Sequence, residues 1–162
     1  MKYYAFLLAM AALPATANVE INGNVEAKCV ITTDTVGVYG NPTADKLTTA
    51  TASGGVIPIV RYDVAIANYY TAKITHPTSF SSSPTLNDTV AWTGSASVSS
   101  TSDAGMAAYD TSKVVYGSTT EFDLTIAGST WFKIESEAVY GYGKAFPGGT
   151  YAGLVVAECI AN

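Results

Sequence analysis

The chain is poor in charged side chains, and its few basic residues are scattered. Eight lysines and arginines stand against thirteen aspartates and glutamates, and the formal net charge is −5. No cluster of basic residues occurs along the sequence. Nucleic acids and anionic membrane surfaces are bound through dense positive charge, so the composition argues against both as partners.

Histidine, cysteine and the common catalytic motifs are also scarce. The chain has one histidine, His76, and two cysteines, and it contains no GxSxG, HExxH, P-loop or GxGxxG motif. No CxxC or Cys/His spacing supports a metal site. His76 precedes Pro77 at the end of a predicted strand, and we interpret it as a solvated turn residue. The sequence therefore predicts no metal, no cofactor and no enzymatic activity.

Two pairs of carboxylates are the only candidates for acid–base chemistry. Glu135 and Glu137 share one face of a predicted strand, and Asp103 and Asp110 fall in a predicted loop. General acid–base catalysis needs positioned groups, and neither pair has a third residue to orient it. We interpret all four as ordinary surface carboxylates.

Long apolar runs are missing as well. No run approaches the roughly 18 consecutive apolar residues that a membrane span requires. The short apolar run over residues 3–13 follows Lys2 and precedes a small-residue box, Ala15-Thr16-Ala17, which is the layout of a secretory signal. We expect residues 1–17 to be removed, Asn18 to begin the mature chain, and the protein to be exported.

Threonine, serine, glycine, valine and tyrosine are abundant, as in secreted β-proteins. Strand signals alternate with turn signals such as Gly54-Gly55 and Pro147-Gly148-Gly149, and no helical period stands out. The pattern predicts an all-β protein, with six to nine short strands in a two-sheet antiparallel sandwich. We assign this single domain to residues 29–162.

The clearest periodic signal follows the predicted cleavage site. Odd-numbered positions are apolar or small, and they alternate with polar residues from Glu20 to Lys28. A period of two places all odd positions on one face of a strand. The in-phase residues are Val19, Ile21, Gly23, Val25, Ala27, Cys29 and Ile31. This strand can pair within its own domain or insert into a groove of another molecule.

The two cysteines lie near opposite ends of the predicted mature chain. In an oxidising compartment, such a pair is expected to form a disulfide, here between Cys29 and Cys159. The alternative is a pair of buried free thiols. A disulfide would tie the first strand to the last.

The last predicted strand covers residues 150–160 and is apolar on both faces. Tyr151, Val155 and Ala157 share one face, and Leu154 and Val156 share the other. Strands of this kind lie in the interior of a sheet. No further strand follows in the sequence, so the sheet is expected to lack one strand beside it.

The order of these features resembles a known family. A secretory signal, an alternating extension that runs into a cysteine, a β-rich middle and the closing segment PGGTYAGLVV (residues 147–156) are similar to pilin subunits of the chaperone–usher pathway. The closing G-x-Y-x-G-x-V pattern is typical of class 5 (alpha) and archaic subunits and of spore-coat-U-like domains. Residues 89–94 and 121–126 are similar to corresponding parts of those subunits. The cysteine pair departs from the family, which often places both cysteines on the first two strands or has none.

The resemblance implies an incomplete immunoglobulin-like β-sandwich, which a donor strand from a neighbouring subunit completes. Residues 18–28 would be the donor extension, with Val19, Ile21, Gly23, Val25 and Ala27 facing the groove. Tyr151, Val155 and Ala157 would border the groove in the acceptor. The implied partners are identical or homologous subunits in a head-to-tail polymer, a periplasmic chaperone and an outer-membrane usher. The implied location is a cell-surface fimbria that supports adhesion or biofilm formation.

Two other functions remain open from the sequence. One is a secreted or tip-located adhesin of the same fold that binds a glycan or a surface through tyrosine-bearing loops. The tyrosines considered for that role are Tyr69, Tyr70, Tyr140, Tyr142 and Tyr151. The other is a spore-coat or matrix subunit that assembles without a dedicated chaperone.

Overall fold

A computed structural model describes residues 28–141 and 143–162. The predicted signal sequence, the proposed donor residues Val19, Ile21, Gly23, Val25 and Ala27, and Tyr142 lie outside the described residues. Strands account for 54% of the structure and helices for 9%, which confirms the all-β prediction. None of the helices in the described part is long and apolar enough to cross a membrane.

Strands and short turns succeed one another along the described residues. In chain order the strands are β1 (Cys29–Thr35), β2 (Gly40–Thr43), β3 (Lys46–Thr48), β4 (Ile59–Val64), β5 (Tyr70–Thr75), β6 (Phe80–Ser82), β7 (Val90–Thr101), β8 (Val114–Tyr116), β9 (Thr119–Leu124), β10 (Gly128–Tyr140), β11 (Ala152–Gly153) and β12 (Val156–Ala161). Two short 3-10 helices cover Thr51–Ser53 and Ala104–Ala108, and the one α-helix among the described residues, α1, is Tyr109–Ser112. All strand pairs are antiparallel.

The strands form two main sheets. In the larger sheet, the long β10 pairs with β7 along one edge, while β4 and β3 share its other edge. β1 then pairs with β4, and β2 pairs with β3. The second sheet has the order β12-β5-β9-β8, and β11 and β6 form a separate two-stranded sheet. β1 and β12 are therefore edge strands of different sheets.

One apolar core lies between the two main sheets. β4, β10, β5 and β9 each alternate strictly between buried and partly exposed side chains, which is the pattern that one solvated face requires. The ring of Phe132 contacts Tyr62 edge-on at 5.5 Å between centroids and lies 4.4 Å from Phe122 of the opposite sheet. The two sheets are thus packed face to face through aromatic side chains.

Tyr62 also connects the sheets through a hydrogen bond. Its side chain is fully buried in β4, and its hydroxyl donates to the Glu158 carbonyl oxygen of β12 at 3.1 Å. The same hydroxyl lies 3.4 Å from the carbonyl oxygen of Lys73 in β5. A buried hydroxyl needs such a partner, and here that partner belongs to the facing sheet.

The structure differs from the sequence predictions at several strands. The expected interior strand at the end of the chain is an edge: β12 pairs with β5 and with no second strand among the described residues. Its apolar outer face, which includes Val156 and Ile160, is exposed. The short strands β2, β3 and β6 have only three or four residues, which are too few to show a period of two in the sequence.

Replacing Tyr62 with phenylalanine should lower the free energy of unfolding by about 1–3 kcal/mol. The ring keeps its packing, but the carbonyl oxygen of Glu158 loses its donor inside the protein. Chemical denaturation of the two proteins measures the difference. If the denaturation curve of the variant has the same midpoint and slope as that of the unaltered protein, this role of the hydroxyl is contradicted.

The free energy of unfolding should decrease at alkaline pH because of Tyr62. Burial raises the pKa of Tyr62, and the Glu158 carboxylate raises it further. The unfolded chain releases this proton near the ordinary value of about 10, while the folded protein retains it. Above about pH 10 the unfolded state binds fewer protons, so the contribution of Tyr62 to stability falls as pH rises. Urea titrations from about pH 8 to about pH 11 should show a smaller decline for Tyr62→Phe.

Candidate functional site

A long groove opens between the free edges of the two main sheets. One wall is the segment of residues 33–39, which continues from β1, and the other is the segment of residues 146–155, which leads into β12. The groove has a volume of about 740 Å³. It therefore lies between the segment that continues from the first strand and the segment that leads into the last strand of the described chain.

Both walls of the groove continue into strands with one unpaired edge. β1 pairs only with β4, and β12 pairs only with β5, as far as the described residues extend. The inner side chains of these strands, which include Ile31 and Ala157, pack against the core but remain partly exposed. An edge of this kind offers backbone N–H and C=O groups to an added strand.

The groove is uncharged. Its described lining contains no aspartate, glutamate, lysine, arginine or histidine. Buried Leu47 and Val60 contribute apolar surface. Some of its polar side chains are already bonded: the Ser136 amide donates to the hydroxyl oxygen of Thr49 at 3.0 Å. Such a surface can bind an apolar peptide face but offers no carboxylate, imidazole or amine for general acid–base chemistry.

Tyr39 reaches across the groove beneath Gly153. Its hydroxyl is hydrogen-bonded to the Ser136 hydroxyl at 3.1 Å, and burial raises the pKa of Tyr39. A Cβ added to Gly153 would lie 2.6 Å from the Tyr39 hydroxyl oxygen and 3.2 Å from a ring carbon of Pro77. The groove is therefore shallow at this point, and only glycine fits there without displacing a neighbour.

Exposed apolar side chains lie beside the groove. Val36 and Val38 belong to one wall and are 75% and 52% exposed. Leu154 and Val156 are 65% and 43% exposed, on the outward face of the segment that forms the other wall. Single exposed apolar residues are common, but a group of them around one groove indicates an interaction surface.

An aromatic cluster borders one end of the groove. Phe80 lies at its centre, with ring centroids 4.7 Å from Trp92, 5.0 Å from Tyr151 and 5.9 Å from Phe146. The Tyr151 hydroxyl donates to the Pro147 carbonyl oxygen at 2.6 Å and so fixes the preceding turn. No pattern in the sequence marks Phe80, Phe146 or Tyr39, because they come together only through the tertiary fold.

A disulfide lies beyond the other end of the groove. Cys29 at the start of β1 is bonded to Cys159 of β12, and their Cα atoms are 6.4 Å apart. The predicted cysteine pairing is confirmed. The bond holds the two edge strands together on the side away from the aromatic cluster.

The predicted groove residues fall where the two sheets part. Tyr151 and Val155 line the groove, whereas Ala157 lies on β12 opposite Ile74 of β5 and packs partly against the core. These three residues lie along one side of the groove, on the same face of the chain as Cys159. The donor residues predicted to meet them are outside the described chain.

The candidate catalytic carboxylates are far from forming a common site. Glu137 pairs with Lys46 at 3.0 Å and Glu135 with Lys133 at 3.4 Å on the outer face of β10. Asp103 caps a 3-10 turn by accepting from the Gly105 amide, and Asp110 accepts from the Val98 amide at 3.1 Å. Each carboxylate has a structural partner.

His76 is partly buried rather than fully solvated as the sequence suggested. Its ring lies against Gly94, where an added Cβ would come within 2.6 Å of it, and its Nδ1 is 3.1 Å from the Pro77 carbonyl oxygen. Within residues 28–141 and 143–162, no cluster of three or more histidine, cysteine, aspartate or glutamate side chains is suited to bind a metal ion.

Replacing Gly153 with alanine should lower the free energy of unfolding by about 1–3 kcal/mol, since the added methyl group displaces the Tyr39 hydroxyl. The cost should be smaller in a Tyr39→Phe background, which removes the obstructing oxygen. Denaturant unfolding of the two single variants and the double variant measures this coupling. Gly148→Ala is the matched control, because its new Cβ meets nothing within 4 Å. Equal losses for Gly153→Ala in both backgrounds would contradict the described contact.

In comparisons with known proteins, no family model, no curated protein and no solved structure matches this chain.

Proposed function

We propose that this protein is a structural subunit of an extracellular fimbria that polymerises by donor-strand exchange. Residues 18–28 of one subunit fill the groove of the next. The observation that supports this most directly is an uncharged groove between two unpaired strand edges, in a chain whose preceding segment alternates between apolar and polar residues. Strand addition uses both features: backbone groups provide pairing, and alternate side chains enter the groove.

The expected interaction is strong enough to hold a polymer together. Burying the larger apolar side chains Val19, Ile21 and Val25 contributes on the order of 5 to 10 kcal/mol before the cost of ordering the segment. Each backbone hydrogen bond adds about 0.5 to 1.5 kcal/mol. The donor and the groove are different surfaces of the same chain, so repeated contacts do not close on themselves and produce a filament.

An added strand would also complete the architecture. It would lie between β12 and β1, join the edges of the two sheets and give an immunoglobulin-like sandwich. Until a neighbour arrives, the groove exposes apolar surface and open backbone edges, which promote aggregation. A periplasmic chaperone that covers the groove and an outer-membrane usher that orders the exchange are therefore part of the proposal, and the fimbria belongs on the cell surface.

The aromatic cluster supports a second candidate, an adhesin that binds a glycan. A shallow depression of about 320 Å³ beside the groove combines the rings of Phe80 and Trp92 with the hydroxyl-bearing residues Thr78, Ser79 and Ser83. Aromatic faces beside hydroxyl groups suit the stacking and hydrogen bonding of a sugar. This function would need saturable ligand binding by a monomer and would not need residues 19–23. A spore-coat or matrix subunit would share self-assembly but would require no chaperone.

The proposal is tested by placing the same charge on the two faces of the donor segment. In the mature chain, Ile21→Asp should abolish polymers that resist denaturing electrophoresis without heating, because it would bury a carboxylate in an uncharged groove. Asn22→Asp is the matched control: it adds an identical charge one residue away on the polar face, and polymers should form as in the unaltered protein.

A synthetic peptide of residues 18–28 provides an independent measurement. Excess peptide should compete for the groove, shorten the polymers of the unaltered chain and raise the thermal stability of the Ile21→Asp monomer. Polymers formed equally by Ile21→Asp and Asn22→Asp would refute donor-strand exchange. A stable monomer in every case, unaffected by peptide, would instead mean that the segment does not act between subunits.

A further inference from the structure

We propose that the Cys29–Cys159 disulfide is an end stop that limits how far a donor strand enters the groove and so sets its register. This inference rests on the proposed donor-strand function. The reason is geometric: neighbouring strands lie about 4.7–4.9 Å apart, so two strands that flank an inserted strand are separated by roughly 9.5 Å. The Cα atoms of Cys29 and Cys159 are only 6.4 Å apart. No strand fits between β1 and β12 at that level.

The groove therefore has one closed end and one open end. β12 runs toward the disulfide, and the segment before it runs past Tyr151 at the open end. In a donor subunit, Lys28 is followed at once by Cys29 and the folded domain, so that domain must lie outside the acceptor's open end. The free end of the donor strand then points at the disulfide, and the donor runs antiparallel to β12.

The end stop limits which residues can face each other. The disulfide blocks the level of Cys159, so the first inward donor residue, Val19, can lie no deeper than the preceding inward position, Ala157, just beyond the groove lining that ends at Val155. An antiparallel strand then continues in steps of two residues. The opposite pairs are Val19 with Ala157, Ile21 with Val155, Gly23 with Gly153, and Val25 with Tyr151.

The shallow part of the groove provides a separate check on this register. Gly153 lies directly above the Tyr39 hydroxyl, where one additional carbon atom already collides. The register places Gly23, the only glycine among the inward donor residues, at this point. A shift by two residues in either direction would bring Ile21 or Val25 over Tyr39 instead. The disulfide thus sets the greatest depth that Val19 can reach, and the shallow point agrees with the alignment at that depth.

The test lengthens the free end of the donor and removes the stop. A Val-Glu pair inserted between Asn18 and Val19 continues the alternation of apolar and polar residues. The insertion is made both in the chain with the disulfide intact and in a chain that carries Cys29→Ala and Cys159→Ala together. A Ser-Glu insertion at the same place is the control for length alone. The measured quantity is the rate at which polymers of the full mature chain dissociate in denaturant.

With the disulfide intact, the Val-Glu insertion should change the dissociation rate by less than about twofold, because the additional valine cannot enter the groove. Without the disulfide, the same insertion should slow dissociation about tenfold or more, since one more apolar side chain is buried. Ser-Glu should have a small effect in both backgrounds. Equal slowing by Val-Glu in both backgrounds would overturn the end stop and leave donor-strand exchange intact. If Ile21→Asp polymerises normally, both proposals fail.

A second measurement keeps the disulfide and so does not depend on the folding of the cysteine-free chain. Glu20 faces outward in the donor, and it can be replaced by a photoreactive phenylalanine derivative without disturbing the apolar row. The register places position 20 opposite Val156, so cross-links between subunits should centre there. Cross-links centred on Leu154 or Glu158 would overturn the proposed register.

Discussion

The distance between the edges of the two main sheets determines where the groove opens and where it ends. Over the core, the sheets are held together by the rings of Tyr62, Phe122 and Phe132, and by the Tyr62 hydroxyl bonded to β12. At the edges, the disulfide holds β1 and β12 at a distance that excludes another strand. Farther from the disulfide, none of the described residues fills the space between the edges of the two sheets. That space is the groove.

The disulfide therefore has two consequences of different kinds. Because it joins residues separated by 130 positions, it restricts the unfolded chain, and the chain-entropy model assigns about 5 kcal/mol to a loop of that size. It also shapes the surface locally, because it narrows one end of the groove while the other end stays open. The first effect stabilises the folded domain, and the second defines the shape of the groove.

The groove is well suited to a peptide and poorly suited to chemistry. Its polar atoms, such as the hydroxyls of Thr49, Ser136 and Tyr39, are bonded to one another or to the backbone. The carboxylates of Glu135, Glu137 and Asp103 form ion pairs or a turn cap on other faces. What the groove offers is apolar area and backbone edges, which favour recognition by shape and pairing. This is the physical basis for preferring an assembly role to a catalytic one.

The sequence by itself determined the strand character, the cysteine pairing and the alternating segment before Cys29. Each depends on local information. The strands β4, β5, β9 and β10 have a period of two, and the two cysteines belong to a chain whose first residues have the layout of a secretory signal. Only the tertiary structure decided that β12 is an edge strand, because an apolar residue such as Val156 has the same local pattern whether a neighbour covers it or not. It also decided that Tyr39 lies beneath Gly153, a contact across more than a hundred residues that arises from the pairing of sheets. Local patterns specify which side chains share a face, whereas the positions of the free edges depend on how all the strands pair.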